Sequence, residues 1–315
     1  MYTNVDEKDN LISKEEVRDI PGVLDLLPEE FPLCITFDET HFRYRFITSM
    51  AYLIRDAPAI IINSVEELEK DAAAALRGSK KKVFTVGPLL LMSETPTLRL
   101  DVNYWAEEDH CIEWLERQAL RSVLYVSFGS VASLSPENFR EFAMGLEASN
   151  ARFLWVVRRD SIDAPLEEAL PDGFLGRTKG RGLIISWGPQ LMILSHPAIA
   201  AFLTHCGWNS IIENMSTGFV PMICWPQVAE QRLNRRLITE SWKIGLGFER
   251  NEDGSGVGRD EIARVVKEVM EGERSHELRS VTTTFRDLVR GSVRKGGSSY
   301  ASFEELLDYI LHLNE

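Results

Sequence analysis

Apolar positions in this chain fall into short unbroken runs, separated by segments with helical spacing. After residue 111 the alternation is regular. Residues 122–128 (SVLYVSF) form an apolar run ending at Gly129-Ser130, and Ser135-Pro136 then offers an N-cap and a first-turn proline for a helix. Residues 152–158 (RFLWVVR) predict the next strand. Residues 183–186 predict a short one followed by a helix over 189–194, and residues 199–204 another, followed by a helix from Asn209. Residues 221–225 continue the pattern. Strands that are apolar along their whole length, set between helices, belong to a parallel sheet covered on both faces. Ligands of such sheets sit at the carboxyl ends of the strands. Ser130, Trp187, His205 and Glu230 each follow a strand and are therefore expected to meet on one rim.

Before residue 111 the pattern thins. Residues 11–31 are polar and proline-rich, 42–56 predict a helix, 59–63 a strand, 65–76 a helix and 83–86 a strand, ended by Gly87-Pro88. Two strands are too few for an independent doubly wound domain, so this part reads as the tail end of one. Residues 275–294 predict a helix, Gly296-Gly297 break it, and 299–311 predict a last helix. That helix has Phe303, Leu306, Leu307, Ile310 and Leu311 at helical spacing. The expected division is a partial first domain over 1–88, a linker over 89–110, a second domain over 111–295, and a terminal helix over 296–315 that packs on the first domain. The fold class is α/β.

Composition narrows the function. Hydrophobic residues make up 44% of the 315, which supports a large core. The net charge of −13, from 48 acidic and 35 basic residues, argues against nucleic acid as a partner. A nucleotide ligand is not excluded, because screening over roughly 8 Å leaves its pocket to local donors. Cys34, Cys111, Cys206 and Cys224 form no Cys-x-x-Cys pair, which speaks against a zinc or redox site and for reduced thiols in a cytoplasmic protein. Residues 1–16 are polar and predict no signal peptide, and runs such as 57–62 are too short to span a bilayer. Asn214-Met215-Ser216 matches a glycosylation pattern inside a helical stretch and is discounted. The glycines over 254–258 follow Asn251-Glu252-Asp253 rather than a buried strand, and Lys80-Lys81-Lys82 is a solvated basic run.

The chemistry concentrates in residues 187–231. A lone histidine after an apolar strand is usually structural, but His205 is followed by Cys206-Gly207-Trp208-Asn209-Ser210. The glycine lets backbone approach a ligand, Asn209 and Ser210 offer donors, and the helix start adds about half a positive charge, together enough to hold a diphosphate. Ser210-Ile211-Ile212-Glu213 reads equally as a capping box and as a carboxylate placed to accept two ribose hydroxyls. Trp187 reads as core, as Trp114 and Trp155 do, or as a platform for a base. Glu230-Gln231 reads as a solvated helix start or as a partner for sugar hydroxyls.

These residues resemble the signature box of the family 1 UDP-dependent glycosyltransferases of the plant type that glucosylates small molecules. The resemblance rests on Trp187-x-Pro189-Gln190, His196-Pro197, residues 204–210 (THCGWNS), Glu213, Gly218, Pro221 and Glu230-Gln231. It continues in residues 87–89, 111–115 and 125–130, and so covers nearly the whole chain. It implies a GT-B fold with a donor-binding second domain and an acceptor-binding first domain. It implies that Trp187 stacks on uracil with the Gly188 backbone at its edge, and that Gln190 and Glu213 bind ribose. Ser130, His205, Gly207, Asn209 and Ser210 would hold the diphosphate, and Trp208, Glu230 and Gln231 would touch the sugar, glucose being favoured by the closing Gln231. The reaction implied is inverting transfer from UDP-glucose, a co-substrate, to a small-molecule hydroxyl, with no metal and no cofactor, no membrane and no nucleic acid.

Three departures stand out. Residues 218–221 (GFVP) carry one residue more than the family's Gly-Val-Pro, which bears on the strand leading to Glu230 and Gln231. Glu230 stands where many members have Asp. The family's catalytic histidine and its aspartate partner have no match here, since His41 and Asp38 fit neither motif. The chain is therefore read as N-terminally truncated, able to bind UDP-glucose and weak in transfer. The alternatives are a donor-binding subunit completed by a separate N-terminal chain, and a non-catalytic remnant.

Overall fold

The computed structural model describes residues 20, 22, 40–79, 81–92, 107–131, 133–162, 164–251 and 256–313. The chain divides into two units: Met1–Met92 with Val228–Leu233 and Leu288–Glu315, and Ser93–Gln227 with Asn234–Asp287. Cys34, Asp38 and much of the expected linker lie outside the described residues.

In the first unit, α1 (Phe42–Asp56) leads to β1 (Ala59–Ile62), α2 (Lys70–Gly78) and β2 (Lys82–Thr85). The strands pair in parallel, Ile60 opposite Val83. The α2 helix begins at Lys70 rather than at residue 65, for an electrostatic reason. Glu66 is drawn to Arg77, 2.5 Å from Nη1, and accepts from the Thr85 hydroxyl at 2.9 Å, while Ser64 donates to Glu69. The segment that would have been the first helical turn is spent on those bonds. The helix Ser298–Leu311 packs on β2, where Leu306 and Phe303 meet Phe84 and Val86, and Tyr309 lies 5.6 Å from the Phe84 ring.

In the second unit, α3 (His110–Glu116) precedes β3 (Val123–Ser127) and α4 (Pro136–Ala148). These are followed by β4 (Arg152–Val156), two single-turn helices, β5 (Gly182–Ile185), α5 (Gln190–Ser195), β6 (Ile199–Thr204), α6 (Trp208–Ser216), β7 (Met222–Cys224) and β8 (Gly245–Gly247). Ser135 caps α4 by accepting from Asn138 N at 3.2 Å, with Pro136 in the first turn. The six strands run parallel in the order β5-β4-β3-β6-β7-β8. β3 is buried at every residue, as its unbroken apolar run requires. One face is closed by Phe139, Phe142 and Leu146 of α4 and by Ile262, Val265 and Val269 of the helix Arg259–Met270. Trp155 is core, 5.0 Å from both Phe139 and Phe142, whereas Trp114 is only half-buried.

The stretch from Gly218 to Pro221 leads the chain from α6 into β7. Phe219 takes a left-handed backbone (φ 47°) with its ring buried. Asn214 ties the loop down, its Nδ2 donating to Val220 O at 2.9 Å and its Oδ1 accepting from Val220 N at 3.1 Å. β7 then pairs with β6 and β8, Thr204 opposite Cys224 and Cys224 opposite Gly247. Asn214 is fully buried, so it is no glycosylation acceptor.

Candidate functional site

Strand order fixes where a ligand can go. From β3 the chain winds outward through β4 to β5, then returns to lay β6 on the other side of β3 and winds outward again to β8. The direction reverses between β3 and β6, and the loops leaving the carboxyl ends of two such strands separate to form a crevice. Here those loops carry Gly129-Ser130 and His205-Cys206-Gly207.

The two loops touch through the imidazole of His205. Gly129 has a left-handed backbone (φ 74°), and a Cβ there would fall 2.5 Å from His205 Cε1. A Cβ on Gly207 would fall 2.4 Å from His205 Nε2. Only glycine fits on either side of the ring. Within this slot His205 Nδ1 is buried with no hydrogen-bond partner among the described residues. Burial pulls the imidazole down to a pKa of about 4, with the nearby Arg158 guanidinium adding to the effect, so the ring is neutral at physiological pH. Arg158, at the end of the β4 run and itself buried, donates from Nη1 to Gly129 O at 2.5 Å and from Nε to Asp160 Oδ1 at 3.0 Å. It fixes the loop that carries Ser130, which is exposed.

Gly207 caps α6, and Trp208, Asn209 and Ser210 make its first turn. The backbone donors of that turn and the helix dipole suit an anion. Asn209 is exposed, and Trp208 is half-buried with its ring 6.3 Å from Trp242.

The capping box read from Ser210 to Glu213 does not form. Ser210 is the third residue of α6, not its cap, so neither side chain can reach an N-terminal donor in that way. Both turn to Gln190 instead. Gln190 Nε2 donates to Glu213 Oε2 at 2.5 Å and to Ser210 Oγ at 3.0 Å, and its Oε1 accepts from the Tyr125 hydroxyl at 2.9 Å. Burial raises the Glu213 carboxyl above its ordinary range, against the pull of the Gln190 amide.

Trp187 follows β5 and is half-buried, with Gly188 buried beside it. Its backbone is pinned from outside the strand: Glu108 N donates to Trp187 O at 3.0 Å, and the Glu108 carboxylate accepts from Ser186 N at 2.7 Å and from the Ser186 hydroxyl. Glu230 and Gln231 lie beyond β7 in the segment that groups with the first unit. Glu230 is half-buried, and Gln231 is buried with its Oε1 accepting from Val228 N at 2.9 Å.

The sequence reading missed Tyr125, Arg158 and Glu108. Tyr125 and Arg158 left a trace, each a polar group within or ending an apolar strand run, whereas Glu108 sits in an expected linker with no local signal. His41 packs its ring 5.8 Å from Phe42. Among the described residues no cluster of His, Cys, Asp or Glu is arranged to hold a metal ion, and no helix is long and apolar enough to cross a membrane.

Residues 104–278 match the model of the UDP-glucoronosyl and UDP-glucosyl transferase family. The chain belongs to this family. It is 38% identical over 298 residues to 7-deoxyloganetin glucosyltransferase of Gardenia jasminoides, covering 93% of this chain and 60% of that protein. With UDP-glycosyltransferase 85A1 of Arabidopsis thaliana it shares 40% over 262 residues, 81% of this chain and 52% of that one. Apo UGT2 of Phytolacca americana superimposes with a TM-score of 0.81 at 33% identity, covering 96% of this chain and 66% of the other. The same enzyme complexed with UDP-2fluoro-glucose and pterostilbene gives 0.80 at 35% identity, with 96% and 64% coverage. The fold is the GT-B type of these glycosyltransferases, and the chain spans about 60% of the length of the relatives it matches.

Proposed function

We propose that this chain binds a UDP-sugar, UDP-glucose by preference, at the crevice between β3 and β6, and serves inverting transfer of the sugar to a small-molecule hydroxyl. The observation that carries the reading is the glycine-walled imidazole of His205, which joins the loops after β3 and β6 beside the first turn of α6. The diphosphate takes the Ser130 and Asn209 side chains, His205 and the α6 backbone donors, with no metal required to meet its charge. Trp187 stacks on uracil with Gly188 at its edge, Gln190 and Glu213 take the ribose, and Trp208 faces the sugar. The second unit, which carries β3 to β8, is the donor-binding domain in this reading. A family relative complexed with UDP-2fluoro-glucose supports the donor class. The buried, unpaired thiols of Cys111, Cys206 and Cys224 suit a reducing compartment such as the cytoplasm.

His205 suits the diphosphate rather than the role of general base. A base works best with a pKa near the operating pH, and burial holds this imidazole at about 4. No residue of this sequence is assigned that role, so donor binding is the property to test. Calorimetry should show UDP and UDP-glucose binding to the purified chain. The double variant Trp187→Ala/His205→Ala, folded by circular dichroism, should bind UDP at least about tenfold more weakly, since stacking on one aromatic alone contributes about 1–3 kcal/mol in related sites. Equal affinity in the two proteins would overturn the reading.

A further inference from the structure

Tyr125 stands in the middle of β3, fully buried, its ring stacked on Phe202 at 5.1 Å and 17°. A phenol so placed costs stability unless its hydroxyl finds a partner, and the partner is the carboxamide oxygen of Gln190 at 2.9 Å. The other end of that carboxamide faces Glu213 and Ser210. A carboxylate can only accept, so the amide NH2 must be turned toward Glu213 and the carbonyl toward Tyr125. The opposite orientation would set an oxygen against the Glu213 carboxylate and turn the NH2 toward the phenol, which would then have to leave Gln190 for the neighbouring Ser127 hydroxyl. The Tyr125 proton and the Glu213 carboxylate therefore select together between two arrangements of similar shape and opposite donor–acceptor pattern. The selection matters because Glu213 is buried enough for its carboxyl to be raised, and the amide donors are what oppose that burial.

We propose that Tyr125 is a positioning residue for the nucleoside end of the donor: its hydroxyl locks the Gln190 amide, which in turn holds the Glu213 carboxylate at a fixed angle for a vicinal diol. The ligand group concerned is the 2′,3′-diol of a ribonucleotide, and the inference rests on the donor-site reading above. Tyr125 touches no ligand in this scheme and acts only through Gln190. A carboxylate with acceptor capacity left after one amide bond can take both hydroxyls of a diol, and a deoxyribose offers it only one.

The test uses the full chain and two probes, UDP and 2′-deoxy-UDP, in calorimetric titrations of the parent and of Tyr125→Phe. The parent should prefer UDP. Y125F should bind UDP about three- to tenfold more weakly, the loss of one well-made buried hydrogen bond. It should bind 2′-deoxy-UDP with a smaller loss, so that the preference for ribose shrinks. An equal loss for both probes, or no loss for either, would overturn the inference, since a packing role lowers both together. If Y125F does not fold, Tyr125→Met removes the same hydroxyl and is held to the same two outcomes. A parent chain that fails to bind UDP is a different result, which sinks the donor-site reading and this inference with it.

Discussion

The two ends of the candidate site are built on opposite plans. At the amide end, Tyr125, Gln190, Ser210 and Glu213 satisfy one another through three hydrogen bonds of 2.5 to 3.0 Å. At the imidazole end, His205 sits between two glycines with Nδ1 unpartnered among the described residues, and the donors nearby are main-chain groups at the start of a helix. The first end is prepared by side chains that already hold their geometry, and a ligand joins an existing network. The second is prepared by exclusion of side chains, and a ligand supplies what is missing. Groups that recognise a neutral diol can be satisfied among themselves without losing their use. A site for a diphosphate has to keep its donors uncommitted.

The wall beside His205 is where this contrast is easiest to break. In Gly129→Ala a methyl group meets the imidazole at 2.5 Å on a backbone of φ 74°. Left-handed strain and overpacking together should cost about 2–5 kcal/mol of stability in urea unfolding. A variant as stable as the parent would mean that the ring yields and the slot is no fixed wall.

Acid separates the two ends by sign. Between about pH 6.5 and pH 4 the unfolded chain takes up a proton at His205 that the folded chain refuses. Stability from this source is full above pH 6.5 and is lost as the pH falls through that window, by on the order of 2–3 kcal/mol. Glu213 has the opposite slope, because its carboxyl titrates higher in the fold than in the unfolded chain. Ionising it costs stability, and that cost grows as the pH rises past 4.5, its ordinary value. Denaturant unfolding from pH 4 to 7 should therefore show a shallower acid loss in His205→Asn than in the parent, and a relative gain near neutral pH in Glu213→Gln. Parallel curves for the parent and His205→Asn would remove the buried neutral imidazole from the picture.

The same contrast explains what the sequence could disclose. The Gly207 wall and the helix start are local features, and residues 204–210 spelled them out in order, while Gly129 ended its own apolar run upstream. Strands β3, β4 and β6 were equally legible, because burial on both faces writes an unbroken apolar run. β8 was not, since Gly245-Leu246-Gly247 is three residues long and two are glycine. The amide end stayed open between two readings for a related reason. Ser210 and Glu213 fit a capping box by spacing alone, and only the fold shows Gln190, twenty residues upstream of Ser210, waiting for both. Tyr125 and Glu108 act over 65 and 78 residues of chain respectively, beyond any periodicity or short motif.

Ser210 is the residue that both plans claim. Its place in the first turn of α6 suggests the diphosphate, and the family resemblance implies the same, yet its buried hydroxyl accepts from Gln190 at 3.0 Å. Substitution by alanine separates the claims at small cost, because a single neutral hydrogen bond contributes only about 0.5–1.5 kcal/mol. If Ser210 works through Gln190, Ser210→Ala should weaken uridine and UDP by the same factor, roughly threefold, since both ligands carry the ribose and only one the phosphates. If it holds the diphosphate, uridine should bind S210A as it binds the parent while UDP alone loses affinity. The hydrogen bond already in place favours the first outcome. The second would show that Gln190 releases Ser210 when donor binds, and that the amide end is less finished than its three bonds make it look.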